Sequence, residues 1–120
     1  MKREVGSFQV AGVTFEGRQE LLEKLQMDYI RNPDKKTVDF KSEPENQYDV
    51  NAIAVWVDIE GELKKIGYVP KAINLNFKEI LNSGKFIRAK ITSVANFEGG
   101  PLGAKVMFEI DIDEEETIEE

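Results

Sequence analysis

The fold of this chain is decided by residues 43–57, which read EPENQYDVNAIAVWV. The second half, Ala52 to Val57, is apolar throughout and rich in β-branched residues, as in a strand covered on both faces. We therefore predict a central strand there, with Trp56 in the core because its neighbours are apolar. The first half, Glu43 to Asn51, is polar. Pro44 restricts its backbone and its Asn and Asp side chains offer oxygens to nearby N–H groups, which predicts a turn.

Three further segments alternate apolar and polar residues with a period of two, the pattern of a strand with one wet face. They are residues 37–41, 87–92 and 105–112. Two other segments have apolar residues at helical spacing, Arg18 to Leu25 and Lys71 to Leu81. Pro70 and Gly84 suit the two ends of the second helix, because proline fits a first turn and glycine fits the left-handed residue beyond the end.

The predicted order of elements is strand, helix, strand, strand, short strand, helix, strand, strand. The chain is therefore mainly β with two helices. Residues 31–36 and 97–103 carry turn-forming sequences between these elements. A small β-barrel of about six strands, closed or partly open, with both helices packed on it, leaves few strand edges exposed. We predict that architecture.

The composition fits one cytoplasmic domain. The chain has 120 residues, which is room for a single core. No apolar run approaches the roughly 20 residues that span a bilayer, and no signal-peptide pattern is visible. The absence of cysteine and histidine removes disulfides, thiolate metal sites and the commonest general base. We expect no membrane, metal or cofactor, and an enzyme is the least favoured class.

The net charge of −7 argues against a nucleic-acid partner until its distribution is considered. Residues 109–120 hold eight acidic and no basic residues, so residues 1–108 hold 15 acidic and 16 basic residues, a net charge of +1. We expect residues 113–120 to form an acidic, flexible tail, since like charges repel. The tail either keeps the protein soluble or covers a basic groove as a phosphate mimic.

The polar segment 43–51 is compatible with sites other than a turn, although its spacing fits them poorly. A calcium loop needs alternating oxygen ligands, a central glycine and a terminal bidentate glutamate, which the segment lacks. Glu43 and Asp49 could also be a carboxylate pair for glycoside hydrolysis, but their spacing in the sequence does not identify the partner residues that such a pair needs. A structural turn remains the simplest interpretation.

The same segment resembles the core signature of the HIRAN domain. The positions that carry the resemblance are Asn46, Tyr48-Asp49, Asn51-Ala52-Ile53 and Val55, followed by Ile66-Gly67-Tyr68-Val69-Pro70 and a helix. Upstream, the family's first strand and helix are similar to Val10-Ala11-Gly12-Val13, Phe15 and Arg18-Gln19. The resemblance covers about Phe8 to Ile112. It implies an OB-like fold and one domain over residues 1–112.

The resemblance implies a binding module that is not an enzyme. HIRAN domains occur as accessory modules of helicase-like and nuclease-like proteins of DNA processing and repair, and as free-standing bacterial or phage proteins. In the best understood members the domain captures the free 3′ end of single-stranded DNA. We therefore expect single-stranded DNA as a partner, beside a DNA-processing protein. A protein-interaction or assembly domain without DNA binding is the alternative.

Three residues of the polar segment receive roles from the resemblance. Tyr48 would stack on a base, Asp49 would accept a hydrogen bond from the 3′-hydroxyl, and Asn46 would shape the pocket. These roles are physically reasonable, because base stacking on an aromatic ring contributes about 1 to 3 kcal/mol. A carboxylate is also a good acceptor for a hydroxyl.

Three more residues are candidates by the same resemblance, each with a structural alternative. Phe15 would be a second stacking ring, or a core residue beside Val13. Tyr68 would lie on the pocket rim, or cap the barrel. Lys71 would contact a phosphate from that rim, or be an ordinary solvated lysine of the first helical turn.

One position departs from the family's pattern. Thr14 stands where DNA-binding members carry an arginine for the phosphate, and a missing charged contact lowers affinity and its salt dependence. A basic cluster on the last two strands is a candidate replacement: Lys85, Arg88, Lys90 and Lys105. Arg18 and Gln19 are expected to anchor the first helix by bonding backbone carbonyls, with a direct ligand role as the alternative.

Overall fold

The computed structural model describes residues 2–96 and 98–112. Six strands and two helices follow one another in the predicted order. They are β1 (Arg3–Gln9), α1 (Arg18–Arg31), a short 3₁₀ turn (Pro33–Lys35), β2 (Val38–Ser42), β3 (Ile53–Ile59), β4 (Glu62–Tyr68), α2 (Lys71–Asn82), β5 (Phe86–Asn96) and β6 (Leu102–Asp111). The tail predicted at residues 113–120 lies outside the described residues.

The strands form two antiparallel sheets of three, in the orders β1-β6-β5 and β2-β3-β4. Strand β3 is central in its sheet and is buried along most of its length, as its apolar sequence predicts. Its residues Ile53, Val55 and Val57 are fully buried in the core. The mainly β fold with two helices is therefore confirmed.

The two sheets meet at two narrow seams. At one seam Ala11 and Tyr68 exchange backbone hydrogen bonds of 2.8 and 2.9 Å, and at the other the N–H of Ile91 donates to the carbonyl of Lys36. Each seam is an isolated bridge, so the described sheets do not close into a continuous barrel. The predicted number of six strands is confirmed, but the described sheets are less closed than the term barrel implies. Pairing at the first seam stops because the chain turns away at Gly12, whose φ is 73°.

The core between the sheets contains a cluster of five aromatic rings, with centroids 4.8 to 6.4 Å apart in tilted and edge-on contacts. The rings are those of Phe8, Phe40, Phe77, Phe86 and Phe108. Helix α2 contributes Phe77, and α1 contributes the fully buried Leu22 and Leu25. Burial of these faces holds both helices on the sheets.

Helix α1 extends to Arg31, beyond the predicted end at Leu25. The added turns are held by polar contacts with β5: the Tyr29 hydroxyl donates to the carbonyl of Thr92 and the Gln26 amide donates to that of Val94, at 2.9 and 3.0 Å. Hydrophobic spacing does not reveal such contacts. Helix α2 begins at Lys71, as predicted.

Trp56 was predicted in the core but lies, partly buried, on the outer face of its sheet. Because side chains alternate along a strand, burial of Val55 and Val57 sends Trp56 to the opposite face. The Lys41 ammonium lies 4.3 Å from the indole centroid. The lysine stem and its charge cover an aromatic face that the sequence pattern assigned to the interior.

Gly67 allows the segment after β1 to cross closely over β4. A Cβ at this position would lie 2.3 Å from the carbonyl oxygen of Ala11 and 2.6 Å from a methyl of Val10. The close approach brings the loop after β1 next to Tyr68, where the candidate site lies. Within the described part of the chain, no helix is long and apolar enough to cross a membrane.

Candidate nucleic-acid interface

A pocket of about 750 Å³ opens beside the seam between Ala11 and Tyr68. Three segments line it: the loop after β1, the polar loop before β3, and the junction of β4 with α2. The lining includes all six residues that the sequence predicts for the site, namely Phe15, Asn46, Tyr48, Asp49, Tyr68 and Lys71. The fold thus brings together residues up to 56 positions apart in sequence. Their roles in binding stay predictions.

The polar loop is held by its own side chains. The Asn46 Oδ1 atom accepts hydrogen bonds from the backbone N–H groups of Tyr48 and Asp49, at 2.8 and 3.0 Å. The Asp49 Oδ1 atom accepts one from the N–H of Asn51, at 2.9 Å. These contacts confirm the predicted turn. They also fix the backbone of Tyr48, a residue that is 81% exposed.

The Asp49 side chain is anchored by Asn74 of helix α2. The Asn74 amide, on a residue only 4% exposed, donates to Asp49 Oδ2 at 2.8 Å. The N–H of Asn51 and then the Asn74 amide hold the pKa of the Asp49 carboxyl below its ordinary value. Asp49 is therefore an anionic acceptor at neutral pH. Each carboxylate oxygen has further lone-pair capacity, so a ligand hydroxyl can still be accepted.

Tyr68 belongs to a hydrogen-bonded network with two charged residues. Its hydroxyl donates to Glu43 Oε1 at 2.9 Å, while the Lys65 ammonium donates to Glu43 Oε2 at 3.0 Å and to the Tyr68 oxygen at 3.1 Å. Partial burial alone raises the pKa of Glu43, but hydrogen bonds from Lys65, Asn46 and Tyr68 outweigh it and lower that pKa. The network fixes the Tyr68 ring on the pocket wall.

The loop after β1 contributes Phe15 and Arg18 to the pocket. Phe15 is 55% exposed, so the alternative that places it in the core is wrong. The Arg18 guanidinium carbon lies 5.4 Å from the Phe15 ring centroid and 5.3 Å from that of Tyr68. Its Nη1 atom donates to the carbonyl of Gly12 at 2.9 Å. The pocket therefore presents an arginine between two aromatic rings.

The prediction that Arg18 and Gln19 bond backbone carbonyls is confirmed. Gln19 donates to the carbonyls of Val13 and Leu102 at 3.0 and 2.9 Å, and its Oε1 accepts from the N–H of Leu102 at 2.9 Å. Gln19 thereby ties the first turn of α1 to β6. The loop that carries Phe15 is held at both of its ends.

Comparison with known families agrees with this geometry. A family model described as the HIRAN domain matches residues 5–113, nearly the whole chain. The chain belongs to the HIRAN domain family. HIRAN domains are nucleic-acid-binding domains, which fits a DNA-binding module. No curated protein and no solved structure matches the chain significantly.

The basic cluster on the last two strands does not complement the pocket of this HIRAN domain. Arg88, Lys90 and Lys105 lie on the β5-β6 sheet and are outside the pocket lining. Glu109 lies 3.3 Å from Arg3 and 3.7 Å from Arg88, which offsets part of the positive charge. Thr14 does line the pocket, but it brings no charge.

Three residues that support the pocket were not predicted. They are Lys65, Asn74 and Glu43, of which Glu43 accepts the hydrogen bond from the Tyr68 hydroxyl. Asn74 left a readable signal, because it is a polar residue on the buried face of α2, one turn before Phe77. No signal in the sequence points to Lys65. Its strand has the sequence of an ordinary charged edge strand, and its partner Glu43 lies 22 positions away.

Proposed function

We propose that this HIRAN domain is a non-catalytic module that binds single-stranded DNA and recognises the 3′ end. One observation carries the proposal: two exposed aromatic residues from different loops, Phe15 and Tyr48, line the same pocket as Arg18 and Lys71. Aromatic platforms beside cations are what single-stranded nucleic acids require. The proposed partner protein is a DNA-processing enzyme that receives the bound end.

Tyr48 is well suited to stack on a base. Its backbone is fixed by Asn46, while its ring is exposed to solvent, so stacking buries apolar surface without reordering the loop. Phe15, on the loop after β1, lines the same pocket and offers a second ring. Each stacked base contributes about 1 to 3 kcal/mol to the binding free energy, whichever of the bases it is.

Asp49 gives the proposed preference for a free 3′ end. An anionic carboxylate attracts a terminal hydroxyl, which donates a hydrogen bond, and repels a terminal phosphate. Asn51 and Asn74 hold Asp49 in place, so the acceptor is preorganised. A strand whose 3′ hydroxyl is replaced by phosphate is therefore expected to bind more weakly.

The contacts of the pocket carboxylates support a binding role over a catalytic one. Donors keep the pKa of Asp49 and of Glu43 below the ordinary values, so neither is tuned toward neutral pH as a general acid. Glu43 is also occupied by Lys65 and Tyr68. We propose that these groups position a ligand and do not transfer protons.

The test is fluorescence anisotropy of 5′-labelled single strands with a free or a phosphorylated 3′ end, at low and at physiological salt. The wild type should prefer the free end. Tyr48→Ala should weaken binding to both strands by about 5-fold to 100-fold. Val50→Ala is the matched control, because Val50 is exposed on the same loop but lies outside the pocket lining.

The variant Asp49→Asn tests the end preference separately. It keeps an acceptor for the N–H of Asn51, and Asn74 can turn its amide to match, so the loop is preserved. The difference in affinity between the free and the phosphorylated 3′ end should become smaller, because the negative charge of Asp49 is lost. Equal wild-type affinity for the two ends would sink the 3′-end proposal. Absence of binding would leave the protein-interaction alternative.

A further inference from the structure

We infer that Arg18 is the phosphate-binding residue of the pocket and supplies the charged contact that Thr14 cannot make. The ligand group is a phosphodiester of the bound strand. This inference rests on the proposed function, since it assigns a role within the same pocket. Three cations line the pocket, namely Arg18, Lys65 and Lys71.

The three cations differ in how far they are neutralised. Lys65 lies 3.0 Å from a carboxylate oxygen of Glu43 and forms an ion pair with it. Lys71 lies close enough to Asp49 for its charge to contribute to the lowered pKa of that carboxyl. Among the described residues, Arg18 makes no ion pair. Arg18 is thus the pocket cation with an uncompensated charge.

The geometry of Arg18 suits recognition of an oxyanion. Of its five N–H bonds, one on Nη1 is directed to the carbonyl of Gly12. That contact and the rings of Phe15 and Tyr68 restrict the side chain before any ligand arrives. The remaining donors form the planar fork that matches two phosphate oxygens.

The position of Arg18 in the chain makes an anion more favourable still. It is the first residue of α1, where the helix dipole is positive, and Gly17 provides no side-chain cap. A cation at this end is unfavourable in the free protein, because its charge adds to that of the dipole. A bound phosphate offsets both charges. Arg31, at the opposite end of the same helix, has the favourable placement.

The place of the phosphate follows from the ring contacts. The Arg18 guanidinium lies against Phe15, so the phosphate that it binds belongs to the nucleotide stacked on Phe15 or to its direct neighbour. The Tyr48 and Asp49 side of the pocket is then left for the terminal nucleotide. Arg18 therefore sets the position of the strand backbone, while Asp49 selects its end.

The test is the salt dependence of single-strand affinity for the wild type, Arg18→Gln, Arg18→Lys and the control Arg31→Gln. Arg18→Gln should weaken binding about 10-fold to 100-fold and reduce the slope of log affinity against log salt by about 0.7, the value for one phosphate contact. Arg18→Lys should keep most of the slope but lose affinity. Arg31→Gln should change neither quantity by a comparable amount.

The same experiment separates this inference from the proposed function. If Arg18→Gln leaves the salt slope at the wild-type value, the inference is wrong even though DNA binding stands. If the wild type binds no strand, the proposed function fails, and inorganic phosphate is titrated into ¹⁵N-labelled wild type instead. A shift of the Arg18 Nε–H resonance then supports the anion site, and an unchanged resonance overturns it.

Discussion

Asn46 determines the conformation of the pocket loop through one side-chain oxygen. That oxygen accepts hydrogen bonds from the N–H groups of Tyr48 and Asp49. The NH₂ group of the same side chain donates to Glu43 Oε1 at 3.1 Å. A single residue thus links the backbone of Tyr48 to the network that holds Tyr68. The stacking proposed for Tyr48 would therefore depend on Asn46, although Asn46 itself supplies no ring.

Replacing Asn46 with alanine should lower both stability and affinity. Two backbone N–H groups lose their acceptor, which costs about 1 to 2 kcal/mol in the free energy of unfolding. Chemical denaturation measures this loss, and anisotropy under native conditions should show weaker binding because Tyr48 is no longer fixed. The control is Val50→Ala on the same loop, since Val50 is exposed and lies outside the pocket lining. Equal effects of both variants would contradict this role of Asn46.

The predicted site residues could be found because they occur in short motifs. Asn46, Tyr48 and Asp49 lie within four positions, and their side chains carry recognisable turn chemistry. Arg18 was predicted first as a helix anchor, with a direct ligand role as the alternative, because the sequence does not place it between two rings. That arrangement depends on the crossing of Val10 and Ala11 over Gly67, a tertiary contact without a local signal.

At the scale of elements, a largely buried ion pair between Asp28 of α1 and Lys36 is connected by hydrogen bonds to the hairpin of β3 and β4. The ammonium of Lys36, a residue only 4% exposed, donates to Asp28 Oδ2 and to the carbonyl of Asp58. Asp28 also accepts from the N–H of Glu60 at 2.9 Å. Hydrogen bonds from Lys36 and then from Glu60 hold the pKa of the Asp28 carboxyl below its ordinary value.

The contribution of Asp28 to stability should depend on pH in a defined direction. A carboxyl with a lowered folded-state pKa stabilises the fold fully above its unfolded pKa of about 3.9, and this stabilisation is lost as the pH falls through the folded value. Asp28→Asn should therefore be less stable than the wild type by about 2 to 3 kcal/mol at pH 7. The gap should shrink progressively below about pH 4.

Urea denaturation of both proteins between pH 7 and pH 2.5 measures this gap. The control is Asp34→Asn, on an exposed residue of the 3₁₀ turn, which should differ from the wild type by less than about 0.5 kcal/mol. A gap between Asp28→Asn and the wild type that stays constant down to the lowest pH would contradict the assigned ion pair.

At the scale of the whole molecule, the pocket exists because the two sheets meet imperfectly. The chain after β1 makes one bridge to β4, at Ala11 and Tyr68, and then turns away at Gly12. The loop that follows leaves an opening, and the loop before β3 forms its opposite wall. A fully closed barrel would fill this opening with a continued ladder. The open seam is thus a precondition of the site.

The order of elements and the central place of β3 could be predicted, because alternation and burial are local properties of each strand. The open seams could not. The bridge at Ala11 depends on the missing side chain of Gly67, and Thr37, just before β2, bridges to Lys90 of β5, 53 positions away. Periodicity identifies strands but not where their pairing stops.

The most direct test of the central claim is to map where a single strand binds. An unlabelled oligonucleotide with a free 3′ end is titrated into ¹⁵N-labelled protein, and amide shifts are followed by NMR. The shift changes should be concentrated in the segments that line the pocket, residues 11–18, 46–52 and 65–74. Changes centred on Arg88, Lys90 and Lys105 of the other sheet, or no changes at all, would contradict the central claim.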